Sequence, residues 1–176
     1  YKNGQKKLYK KSCIITFDDG YEGVYENAYP IAQKYNIPMT MFIITDNMES
    51  QGVITWKQAE EMKNSGFITI ASHSTNHPEF TKLTKEEAKQ NVDESYRIIE
   101  EKLGVTTPKI FTYPYGLNTE EELQILKEDG YLQNLTDNKV NESKTLDIYA
   151  LHRCYPLSDS VAKILLKIRY RIIRYN

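Results

Sequence analysis

Four short, continuous apolar runs, separated by stretches with helical spacing, constrain what this chain can fold into. They are Ser12 to Phe17, Met39 to Ile44, Phe67 to Ala71 and Ile110 to Tyr113. Runs of this length, rich in β-branched and aromatic residues, predict strands. They do not alternate with polar residues, so both faces of each strand must be covered. Such strands belong to a parallel sheet or a barrel with helices packed against it.

The intervening segments carry helix signals. A helix is predicted around Tyr25 to Tyr35, in spite of Pro30. Thr55 caps a second through Lys63, with Gly66 ending it. Thr84-Lys85-Glu86-Glu87 is a capping box for a long amphipathic helix that reaches Leu103 and stops at Gly104. Thr119 opens a fourth, ended by Gly130. Tyr131 to Leu135 and Ile148 to Leu151 are weaker strand candidates. From Ser158, Val161, Ile164, Leu165 and Ile168 face away from Lys163, Lys167 and Arg171, which predicts a last helix packed on the domain rather than one lying on a membrane surface. With no linker or repeat, the expectation is an α/β chain forming a single domain over residues 1–176.

Composition narrows the function classes. With 23 basic and 24 acidic residues the net charge is -1, which argues against a nucleic-acid partner. No run approaches the roughly 20 apolar residues of a membrane span. No signal peptide is visible, and because the chain opens on Tyr1 rather than Met this says little about compartment. Cys13 and Cys154 lie in apolar contexts and are expected to be buried free thiols. The 14 tyrosines include side chains suited to sugar faces, each with an apolar ring and a polar tip.

In alternating α/β folds, functional residues gather at the carboxyl ends of the strands. Three predicted strands end in loops that carry chemistry: Asp18-Asp19-Gly20, His73-Ser74-Thr75-Asn76-His77, and Tyr113-Pro114-Tyr115-Gly116. Adjacent carboxylates on an extended segment point apart, so one can ligate a metal while the other faces substrate as a base. Alone, Asp-Asp-Gly would read as an ordinary turn. Two of the three histidines, however, fall in one five-residue window. Two imidazoles and a carboxylate, with positions left for water, suit catalytic zinc, and the imidazoles suit other transition ions too. A backbone amide in the third loop, such as that of Tyr115, can donate to a developing oxyanion.

Taken together, Thr16-Phe17-Asp18-Asp19-Gly20, the His73–His77 segment and Phe111-Thr112-Tyr113-Pro114-Tyr115-Gly116 resemble the three motifs of the polysaccharide deacetylases, carbohydrate esterase family four. The resemblance covers about residues 12–155, and the form of the third motif looks like the branch acting on poly-N-acetylglucosamine exopolysaccharides. It implies a distorted (β/α) barrel with a groove for a polymer. By position it implies Asp18 as general base, and Asp19, His73 and His77 as ligands of one divalent ion, zinc foremost, with cobalt or nickel compatible. Water activated at that ion would attack an acetamide while Asp18 takes its proton. The ion and the Tyr115 amide would stabilise the oxyanion. Tyr113, Pro114, Tyr115 and Arg153 are the expected substrate-facing residues.

Two departures matter. Thr112 stands where many members carry an Arg that orients the base. Leu151-His152 resembles a late motif that supplies the catalytic acid, yet Leu151-His152-Arg153 also aligns with a Leu-Pro-Arg segment in which the His would be incidental; Arg153 would then bind or orient a carboxylate. The implied function is removal of N-acetyl groups from a polysaccharide by a monomer outside the cell or at its surface. An O-acetyl esterase and a weakly catalytic sugar-binding relative are the alternatives.

Overall fold

A computed structural model describes residues 13–104, 109–135, 149, 151–153 and 160–164. The strands are β1 (Ile15–Phe17), β2 (Met39–Ile43), β3 (Ile68–Ser72), β4 (Ile110–Thr112), β5 (Leu132–Leu135) and β6 (Leu151–His152). The helices are α1 (Tyr29–Tyr35), α2 (Trp56–Asn64), α3 (Lys85–Leu103) and α4 (Glu120–Glu128).

All six strands are parallel, and each pairs with its neighbour in sequence, in the order β1-β2-β3-β4-β5-β6. A doubly wound sheet reverses its winding at a switch point; here the order never reverses. Strand-to-strand twist then curls the sheet into a barrel wall. Among the described residues no backbone ladder joins β6 to β1, so the barrel is distorted and incompletely closed. The expected α/β barrel is the fold observed.

The reason lies in the strand faces. Met39, Met41, Ile43, Ile68 and Ile70 turn outward onto Ala32, Ala59, Met62, Ile99 and Leu103 of the helices. A second cluster joins Phe111 and Tyr113 to Phe80, Val92, Tyr96, Leu126 and Tyr131. Each fully buried aliphatic or aromatic side chain contributes about 1.5–3 kcal/mol relative to exposure, so these two clusters hold the helices on the wall.

Local signals set the helix ends. Thr55 with Gln58, Thr84 with Glu87 and Thr119 with Glu122 all form reciprocal capping boxes. Gly104 closes α3 in the left-handed conformation, at φ 60°. Pro30 is tolerated because it lies in the first turn of α1, where its missing N–H costs no helical bond. The wider turn Val24–Ala28 precedes it.

Some expectations change. Cys13, just before β1, is exposed and not buried as expected; Cys154 lies outside the described residues. Of the strand candidate at 148–151, Leu151 lies in β6, which runs Leu151–His152, while Ile148 is outside the described residues. Residues 161–164 are helical as expected, but Val161 is 73% exposed and does not pack on the domain. Ser158, Leu165 and Ile168 are not among the described residues. No described helix is long and apolar enough to cross a membrane.

Candidate active site

The carboxyl ends of β1, β3 and β4 meet at one mouth of the barrel. After β1 the chain turns sharply through Asp19 and Gly20, at φ 69° and 80°. Aspartate is among the few residues other than glycine that visit this region readily. The Ile54 N–H donates to the Gly20 carbonyl at 3.0 Å and pins the turn. After β3, Ser74 and His77 adopt φ 75° and 56°, which folds the five-residue loop tightly enough to bring both imidazoles inward.

Asp19 Oδ1 lies 3.5 Å from His73 Nε2 and 3.6 Å from His77 Nε2. One ligand atom from each of the three residues falls within 4.8 Å of the others. Asp19 Oδ1 is buried and accepts no hydrogen bond among the described residues, an orphaned anion that normally demands a partner. Bonds of about 2.0–2.2 Å to a tetrahedral ion would set donor atoms about 3.3–3.6 Å apart. The two separations from Asp19 Oδ1, 3.5 and 3.6 Å, match, so the donor set fits a divalent ion.

The protonation pattern also fits. His73 is 3% exposed, and burial lowers its pKa from the ordinary value. Its Nδ1–H donates to the Thr112 carbonyl of β4 at 2.8 Å. That bond fixes the tautomer and leaves the Nε2 lone pair facing Asp19, as a ligating imidazole requires. The His77 ring meets the edge of His73 at 4.8 Å and of Tyr115 at 4.5 Å between centroids.

Asp18 has a different partner, though its charge still acts on the His73 imidazole. Arg153 holds both of its oxygens at 2.8 Å and also donates to Thr16 Oγ1 at 3.0 Å. The guanidinium lies over the Phe42 ring, 5.4 Å from its centroid, and the Arg153 side chain is only 12% exposed. Arg153, read from the sequence either as substrate-facing or as orienting a carboxylate, grips the candidate base from across the seam between β6 and β1. The pointer in the sequence was Thr112, which leaves Asp18 without a third-motif Arg and directs attention to another cation.

His152, the candidate acid, is the last residue of β6, half-buried and in register with Leu135 of β5. Tyr113 and Pro114, expected at the substrate surface, are buried. Tyr113 is 1% exposed, packs on Phe80 and Phe111, and donates its hydroxyl to Gln133 Oε1 at 2.6 Å. Of that motif Tyr115 presents its ring to solvent, 64% exposed and at φ 58°. Sequence reasoning passed over Asn91 and Ser95 of α3, which back the histidine loop, because neither belongs to a motif.

Comparison with known proteins agrees with this geometry. The polysaccharide deacetylase family model matches residues 5–133. YxkH of Bacillus subtilis (strain 168), itself named for this family, is 34% identical over 148 residues, covering 84% of this chain and 52% of its own. The poly-beta-1,6-N-acetyl-D-glucosamine N-deacetylase of Staphylococcus aureus (strain MSSA476) is 31% identical over 143 residues, 74% of this chain and 49% of that protein. The chain thus spans about half the length of these relatives. The solved structure of the Streptococcus pyogenes deacetylase PplD in complex with acetate superposes with a TM-score of 0.82 at 25% identity, over 94% of this chain and 74% of the other. The chain belongs to the polysaccharide deacetylase family.

Proposed function

We propose that this chain is a catalytic domain that hydrolyses N-acetyl groups on an N-acetylglucosamine-containing polysaccharide, with Asp19, His73 and His77 holding one divalent ion, zinc foremost. The observation that carries the reading is the division of labour between neighbours: Asp19 Oδ1 sits buried between two imidazoles while Asp18 is held apart by Arg153. A sugar-binding module has no use for the second carboxylate. When bound, the ion supplies Lewis acidity, polarising a carbonyl and lowering the pKa of a coordinated water.

The chain's own residues do the rest. Asp18 takes a proton from the attacking water, and the bidentate grip of Arg153 aims both carboxylate oxygens and limits their rotation. The Tyr115 backbone N–H donates to the oxyanion that develops on the acetyl carbonyl, and its exposed ring offers a face for a sugar. The leaving amine needs a proton, and Asp18, protonated in the first step, is positioned to return it. With Asp18 in both roles, this reading needs no acid role for His152.

The polymer is proposed from the relative named for poly-beta-1,6-N-acetyl-D-glucosamine, and substrates of that class place the reaction outside the cell or at its surface. Acetate release from poly-β-1,6-N-acetylglucosamine or chitooligosaccharides, abolished by a chelator and restored by zinc, is the expected result. Glycan binding without acetate release would overturn the enzyme reading. Faster release from an acetylated xylan than from either amide substrate would favour an O-acetyl esterase, whose leaving group needs less help from an acid.

A further inference from the structure

The loop between the two imidazoles is tied down from several directions. Thr45 and Asp46, just past β2, donate backbone N–H groups to the Ser74 and Thr75 carbonyls at 3.3 and 2.9 Å. Ser74 Oγ accepts the His77 N–H at 2.9 Å, and the Ser74 N–H is taken by Ser72 Oγ at 3.1 Å. Ser72 is in turn hydrogen-bonded to Ser95 of α3. Left-handed residues such as Ser74 and His77 persist only where the surroundings over-determine them.

One further tie comes from the middle of α3. The Asn91 side-chain oxygen accepts the Thr75 N–H at 3.0 Å, and its amide nitrogen donates to Asn76 Oδ1 at 2.9 Å. Asn91 thereby holds two consecutive residues, and both lie between the ligands. Asparagine is a poor choice for a helix interior, and a break with local preference is expected where a side chain serves a site. The two histidines also differ in their support. His73 is buried and fixed through its ring by Thr112. The His77 side chain is 23% exposed, and its placement follows the path of the loop.

We propose that Asn91 is a positioning residue for the metal centre: by clamping Thr75 and Asn76 to α3, it sets the His77 imidazole at ligating distance from Asp19. This rests on the metal-centre reading above. Asn91 touches neither the imidazoles nor Asp19, so it acts through the loop.

The test measures zinc affinity by competition with a chromogenic chelator, alongside the thermal midpoint of the metal-free protein. Asn91→Ala should weaken zinc binding by about 10–100-fold, as loss of an outer-shell partner does, with the metal-free midpoint nearly unchanged. Asn91→Asp keeps an acceptor for the Thr75 N–H and should recover much of the loss. Gln90→Asp, on the exposed neighbouring position, adds the same charge without the bond and should leave affinity at the wild-type value. Wild-type affinity in Asn91→Ala, no recovery in Asn91→Asp relative to Asn91→Ala, or a gain in Gln90→Asp as large as that recovery, overturns the proposal. Should Asn91→Ala fail to fold, Asn76→Ala at an exposed position probes the same link: several-fold weaker binding supports it, and unchanged binding overturns it. If the wild-type chain itself binds no zinc, the metal centre fails first, an outcome distinct from all of these.

Discussion

Arg153 binds both carboxylate oxygens of Asp18 at 2.8 Å, although the two residues lie 135 positions apart in sequence. The pair bridges the seam that β6 and β1 leave open, so one contact both orients the candidate base and ties the two edges of the wall together. A fork of two parallel hydrogen bonds is a geometry that lysine cannot reproduce.

Arg153→Lys should therefore lower kcat by about 10–100-fold, less than the roughly 10²–10⁴-fold that a general base contributes because the base itself is kept, with a much smaller change in KM. Steady-state kinetics on a chitooligosaccharide checks this. A change confined to KM would mean that Arg153 acts on substrate and not on Asp18.

Asp18→Asn removes the base but no ligand. Turnover should fall by about 100-fold or more, while zinc affinity stays close to wild type. Acetate release and chelator competition on the same preparation give both numbers, and an unchanged rate would refute the assignment.

His77→Ala should act in the opposite order. Deleting one of three ligands strikes metal binding first, so metal content after dialysis should drop, and activity should partly return when zinc is supplied in excess. Full retention of metal would place the ion elsewhere.

Asp93 gives a pH-dependent prediction away from the site. Burial pushes its pKa up, but hydrogen bonds from Lys89 and Tyr131 outweigh burial and hold it below the ordinary 3.8. A carboxyl whose folded pKa is depressed contributes stability that is present above its unfolded value and is lost as pH falls through the folded one. Urea midpoints measured from about pH 6 down to pH 2 should fall less steeply below about pH 4 in Asp93→Asn than in wild type. Equal slopes would show that Asp93 is not the titrating group.

Much of this molecule is written locally. Continuous apolar runs became parallel strands, and Thr55, Thr84 and Thr119 opened α2, α3 and α4 as expected, because these signals act over a few residues of backbone. Asp19, His73 and His77 were legible for a related reason: each follows a strand end, and parallel strands deliver their ends to one side. What the tertiary structure alone decided is how far the sheet curls and which face each side chain takes. That curl brings Arg153 onto Asp18, buries Tyr113 in the core and lays Asn91 against the histidine loop. These contacts span 16 to 135 residues, and no periodicity or motif encodes a distance that only the closing of the barrel wall sets.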